Sequence, residues 1–174
     1  MMTEPDLQVR KGLIELLPRL RLFALVLTGD QADADDLTQA GIERALNRAH
    51  QYNAAYKLET WIYKIMQNMW IDQKRKAGRR GTHVDIDEAV QTVGEDGRKT
   101  LEVNDMVNHV RAAIATLPED QRAVVGLVLV DGQSYKDAAD ILGAPIGTIM
   151  SRLSRARQKI MQAVGETSLT GGLG

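Results

Sequence analysis

The sequence predicts an all-α protein made of two small helical domains joined by a flexible acidic linker. Three observations carry this. Apolar residues recur at steps of three and four in both halves, no segment alternates convincingly as a strand would, and the stretch between the halves is polar, acidic and weakly periodic. A structureless stretch of that length is uncommon inside one compact domain, so it reads as a join between two. The expected boundaries are 10–77 for the first domain, 78–105 for the linker, 106–164 for the second domain and 165–174 for a glycine-rich, flexible tail.

The elements follow in order. Between Lys11 and Leu27, Leu13, Leu16, Leu17, Leu20, Phe23, Ala24 and Leu27 share one helix face, and Thr28-Gly29-Asp30 stops the helix. A second helix is expected from about Ala32 to Ala49, with Leu37, Gly41, Ala45 and Leu46 inward. Its start carries Asp30, Asp33, Asp35 and Asp36, which suit the partial positive charge of a helix N-terminus. Gln51–Lys57 reads as a loop. A third helix places Leu58, Trp61, Ile62, Ile65, Met66 and Met69 on its apolar face and Lys64, Asn68, Asp72 and Arg75 on another. It ends in the basic run Lys74-Arg75-Lys76-Ala77-Gly78-Arg79-Arg80-Gly81.

Thr82–Asp105 is the acidic linker, with a short helical piece expected near Ile86–Val93. Met106, Val107, Val110, Ala113, Ile114 and Leu117 then form one stripe, and Pro118 opens a helix running to Val130. Ser134-Tyr135-Lys136-Asp137 fits a capping box for a short helix to Leu142. Gly143-Ala144-Pro145 is a turn, and a last helix runs from about Ile146 to Val164.

Composition narrows the chemistry. With 44% hydrophobic residues and 4% aromatic, the cores are aliphatic and global disorder is excluded. The absence of cysteine removes disulfides and thiolate metal sites, and His50, His83 and His109 form no ligand-spaced pair, so no metal or other cofactor is expected. No apolar run approaches the roughly 20 residues that span a bilayer, and the acidic start Met1–Asp6 lacks a signal-peptide layout. A cytoplasmic protein is expected, with no membrane partner and no small-molecule substrate. The net charge of −1 conceals strong segregation of acidic and basic stretches along the chain.

Helix, glycine turn and second helix make the layout of a helix-turn-helix. In the second helix Ile149, Leu153, Ala156 and Ile160 face the core, which leaves Thr148, Met150, Ser151, Arg152, Ser154, Arg155 and Lys159 outside. Arginine can bond two acceptors of guanine, and Ser or Thr can reach a base or a phosphate; Arg157 and Lys159 lie further along, where phosphates run. The same layout fits a helical hairpin with a solvated basic face.

The wording of Ser134–Arg157, with Leu117-Pro118 and Gln121-Arg122 upstream, resembles the region-4 helix-turn-helix of extracytoplasmic-function sigma factors of bacterial RNA polymerase. Ala34-Asp35-Asp36-Leu37-Thr38-Gln39 is similar to that family's polymerase-binding helix. Leu58–Arg75, with Thr60-Trp61, Asn68 and Asp72, is similar to its −10 segment. The resemblance spans about residues 13–77 and 106–162, in the family's order. It implies that Asp35, Asp36 and Gln39 meet core RNA polymerase. It implies that Tyr52, Tyr56, Lys57, Lys64, Asn68 and Arg75 contact −10 promoter DNA, with the basic run on phosphates. Thr148, Met150, Ser151, Arg152, Ser154, Arg155 and Lys159 would read the −35 element. Five of the seven aromatics, Tyr52, Tyr56, Trp61, Tyr63 and Trp70, fall in the −10 stretch, where bases could stack; Trp61 shares the apolar face and reads as core. An anti-sigma factor is implied as a further partner. Ala40 departs from the family's usual Glu after Gln39. Met150 stands where the family usually has Lys or Arg, which bears on the promoter sequence or the affinity at the −35 element.

Three other readings stay open on the residues: a helix-turn-helix repressor using only the second half, a sigma-like decoy that binds an anti-sigma protein without DNA, and a nuclease. The last has little behind it, because no phosphate-cradling Gly loop, metal-ligand spacing or nucleophile–base motif is present.

Overall fold

A computed structural model describes the backbone of residues 1–79 and 98–170 and the side chains of residues 1–79 and 104–166. The helical piece expected near Ile86–Val93, the acidic residues around it and Arg80 lie outside the described residues. Among the described residues the regular elements are all helical: α1 (Glu4–Thr28), α2 (Gln31–Asn47), a 3-10 turn (Ala49–Gln51), α3 (Leu58–Arg79), α4 (Arg98–Ala115), α5 (Glu119–Val124) continued by a π-helical turn (Val125–Val130), α6 (Tyr135–Leu142) and α7 (Ile146–Thr170).

The three-and-four spacing of α1 buries Val9, Leu13, Leu16, Leu20, Phe23, Ala24 and Leu27. Gly29 ends the helix in the left-handed region, at φ 73°, and donates its N–H to the Leu25 carbonyl. Asp30 then caps α2 by accepting from the Asp33 N–H at 2.9 Å. α2 packs on α3 across Gly41, where a Cβ would come within 2.8 Å of Met66 Cγ. A larger residue there would push the helices apart.

In the second half α4 begins at Arg98, inside the acidic stretch, and α7 continues to Thr170, past the expected tail boundary. Met106 and Val107 are exposed, although they share the apolar stripe of α4. Among the described side chains, the small core that α4 joins is built from Ile114, Leu117, Val125, Ala156 and Ile160.

One apolar core runs through both halves. It joins Phe23, Leu27, Ile62, Tyr63 and Met66 to Val124, Leu127, Ile141, Ile149 and Leu153. The π-helical turn makes this contact close. Gly126 sits against α1, where an added Cβ would lie 3.1 Å from Phe23 and 3.2 Å from Val26. The widened turn closes with Asp131 N–H on the Gly126 carbonyl at 3.0 Å, which sets Asp131 at its end.

Candidate polymerase and nucleic-acid surfaces

The helix-turn-helix is set by local chemistry. Ser134 caps α6 by accepting from the Asp137 N–H at 3.0 Å. Gly143, at φ 61°, turns the chain with its N–H on the Ala139 carbonyl, and Pro145 leads into α7. Ile149, Leu153 and Ala156 are buried, so the opposite face of α7 is turned outward. Met150, Ser151, Ser154, Arg155 and Lys159 are exposed, and Thr148 is half-buried with its carbonyl accepting from Ser151 Oγ. Arg152 is half-buried and held, its Nε 3.3 Å from an Asp120 carboxylate oxygen.

On α2, Asp35, Asp36 and Gln39 are exposed. Gln31 donates to Asp35 at 3.1 Å and Gln39 to Glu43 at 3.2 Å, so these groups form an ordered polar face. In the loop before α3, the half-buried Tyr52 donates its hydroxyl to the Tyr56 carbonyl at 2.7 Å and packs its ring 5.3 Å from that of Trp61. Tyr56 is 71% exposed. Lys64, Asn68 and Arg75 are exposed along α3. Tyr63 and Trp70, in contrast, are core residues. The clustering of aromatics in this stretch therefore reflects packing as well as surface, and only Tyr52, Tyr56 and Trp61 retain accessible rings.

Lys57 is engaged by the other half of the molecule: its Nζ lies 2.9 Å from an Asp137 carboxylate oxygen on α6. It belongs to a seam of polar contacts that sequence reasoning missed. Arg19 of α1 donates through Nε and Nη2 to the two oxygens of Asp131, both at 2.9 Å, and through Nη1 to Glu59 at 2.7 Å. The Tyr63 hydroxyl donates to Asp131 at 2.7 Å, and Gln133 donates to Asp131 at 2.7 Å and to Glu59 at 3.4 Å. Burial pushes the Tyr63 hydroxyl well above its ordinary value, and the bond to Asp131 adds to this, so it remains a donor. Further along, Lys74 lies over the Trp70 ring and pairs with Glu119 of α5 at 3.2 Å. No local pattern announces these residues. Arg19 is one of several charged residues on α1, and nothing in its neighbours sets it apart.

Among the described residues no group of three or more His, Asp or Glu is placed to hold a metal ion, and no helix is long and apolar enough to cross a membrane.

Comparison with known proteins places these surfaces in a family. Residues 13–80 match the model for sigma-70 region 2, and residues 108–160 match that for sigma-70 region 4. The chain is 36% identical over 153 residues to the ECF RNA polymerase sigma factor EcfG of Rhodopseudomonas palustris, covering 87% of this chain and 82% of that protein. It is 30% identical over 159 residues to the RNA polymerase sigma factor HrpL of Pseudomonas syringae pv. syringae, covering 90% and 86% respectively. Among solved structures, the sigma factor RpoE in complex with the anti-sigma factor NepR from Bartonella quintana superposes with a TM-score of 0.77 at 31% identity, over 90% of this chain and 96% of that one. CnrH in complex with the cytosolic domain of CnrY shares the fold at a TM-score of 0.63 and 18% identity, over 93% and 96%. Two matched regions in the family's order, in a chain that covers most of its relatives, make this protein a member of the sigma-70 family, an ECF RNA polymerase sigma factor.

Proposed function

We propose that the chain is a non-catalytic specificity factor acting in the cytoplasm, where it joins core RNA polymerase and directs it to promoters. The observation that carries this is the pairing, in one chain, of a region-2 half with an ordered acidic helix face and a region-4 half whose helix-turn-helix turns a polar, basic face outward. Asp35, Asp36 and Gln39 would meet basic groups of the polymerase. Tyr52, Tyr56, Lys57, Lys64, Asn68 and Arg75 would take the melted −10 strand through stacking and backbone charge. Thr148, Met150, Ser151, Arg152, Ser154, Arg155 and Lys159 would lie in the −35 major groove. Met150, an uncharged side chain 52% exposed on the reading face, would contribute apolar contact instead of a hydrogen bond. Domain boundaries at 10–77 and 106–164, with a linker between, fit this division of labour. A relative solved with an anti-sigma factor supports the same kind of inhibitor here.

Each half would bind weakly alone, and tethering both to polymerase supplies the effective concentration. Promoter binding by the reconstituted holoenzyme tests the residue assignment. Arg152→Ala combined with Arg155→Ala should weaken it by at least about 30-fold, because each lost base or phosphate contact removes about 1–3 kcal/mol. Unchanged binding would remove α7 from the reading role and favour a decoy.

A further inference from the structure

We propose that Met150 is a specificity-determining residue, which reads the 5-methyl group of a thymine in the −35 element. The proposal rests on the −35 reading above and names the base that this position selects. Three observations carry it.

The first is the room around the side chain. Ile149 and Leu153 are buried on the core face of α7, and Met150 stands at its flank, 52% exposed. Gly147 and Ser154, three residues before it and four after, share that flank and are exposed. A Cβ added to Gly147 would meet nothing within 4 Å, so packing does not demand a glycine there. Its backbone does not demand one either, because its φ is not positive. A glycine costs helix propensity, and here it leaves the first turn of α7 bare beside Met150, where a surface can approach closely. An exposed methionine and a bare glycine, neither required by the fold, thus lie together on the reading helix.

The second is the chemical division of that helix. Thr148, Arg152, Arg155 and Lys159 recur at steps of four, three and four, which gathers these cations on the other flank. The Met150 thioether has no hydrogen to donate and accepts only weakly. It is a poor match for the hydrogen-bonding edges of guanine, adenine or cytosine. Among the groups that base pairs present in the major groove, the thymine methyl is the one suited to apolar contact. A lysine or arginine at this position would instead bond O6 and N7 of guanine. Methionine here therefore changes the base that is read.

The third is the anchoring of the backbone. Ile149 is fully buried. Ser151 Oγ donates to the Thr148 carbonyl at 3.1 Å, and Arg152 Nε lies 3.3 Å from an Asp120 carboxylate oxygen on α5. The chain on both sides of Met150 is held while its side chain stays exposed. Contact with a single methyl group needs this, because a gap of about 1 Å forfeits up to half of such an attraction.

The experiment uses holoenzyme reconstituted from core RNA polymerase and the full chain, on a promoter that it selects from a library. Each −35 thymine, on either strand, is replaced in turn by deoxyuridine, which deletes only the 5-methyl group. One replacement should weaken promoter binding about fourfold, the worth of one buried methyl group. Met150→Ala should abolish that difference between thymine and uracil. Met150→Leu, which keeps an apolar side chain, should retain it and so show that its loss in Met150→Ala is not a folding defect. Met150→Arg should lose the methyl dependence and prefer guanine at the same position by at least about fivefold. No methyl dependence at any −35 thymine, or a dependence that survives Met150→Ala, would overturn the proposal and leave the promoter reading in place. A chain that directs no start site would overturn both.

Discussion

At Asp131 burial and hydrogen bonding pull in opposite directions. Burial would raise its pKa, but donors on Arg19, Gln133 and Tyr63 outweigh it and hold the carboxyl below its ordinary value of 3.8. Glu59, bonded chiefly by Arg19 and partly exposed, is likewise held below its ordinary 4.5. Both folded values are depressed, so the stability these groups supply is complete above the ordinary carboxylate range and is lost as pH falls through the depressed values. Urea unfolding should therefore show a midpoint insensitive to these groups from pH 7 down to about 5, falling below about 4. Asp131→Asn should flatten that acid limb, and an identical limb in the variant would place the titration elsewhere. Tyr63→Phe removes one donor while Arg19 and Gln133 remain. It should cost about 1.5–3 kcal/mol in the same measurement, the range of a single hydrogen bond to a charged group.

Two elements concentrate the local determinants. The Ser134 cap on α6 satisfies a backbone N–H that would otherwise be orphaned, so Ser134→Ala should lower stability by about 1 kcal/mol in denaturant titrations. The π-helical turn depends on Gly126 meeting Phe23 and Val26. Gly126→Leu should overpack that contact, costing about 1–3 kcal/mol and read as a lower melting temperature. These elements also separate what the sequence discloses from what it hides. The apolar spacing of α1, α3 and α7 and the caps at Asp30 and Ser134 are local, so helix positions and the exposed face around Met150, Ser151, Ser154, Arg155 and Lys159 follow from neighbours three and four residues away. The π-helical turn is invisible because Val125–Val130 is apolar throughout and no period distinguishes its widened register. The polar seam is hidden for another reason. Arg19 and Asp131 are 112 residues apart and Tyr63 and Asp131 are 68 apart, so no window on the chain contains a pair. The start of α4 at Arg98 is obscured by the acidic composition around it.

Across the whole molecule, the polar contacts between the halves differ in salt sensitivity. Lys57–Asp137 and Lys74–Glu119 each have an exposed lysine, so added salt should weaken them readily. Arg19–Asp131 is shielded, the Asp131 side chain being 4% exposed, and should persist. Energy transfer between fluorophores placed at Lys11→Cys and Gln158→Cys, one in each half, is thus expected to fall modestly between 0.1 and 1 M salt, as a flexing of the seam's periphery, and to fall much further when Asp131 is changed to Asn. A salt-induced collapse in the unaltered chain would show that the peripheral pairs hold it. All of these effects matter for function only if the chain does what its two halves equip it to do. Run-off transcription of a promoter library by core RNA polymerase, with and without the purified chain, measures that directly. The chain should create start sites absent from core alone, preceded by two shared sequence elements at a fixed separation. A library yielding no start site that depends on the chain would contradict the account.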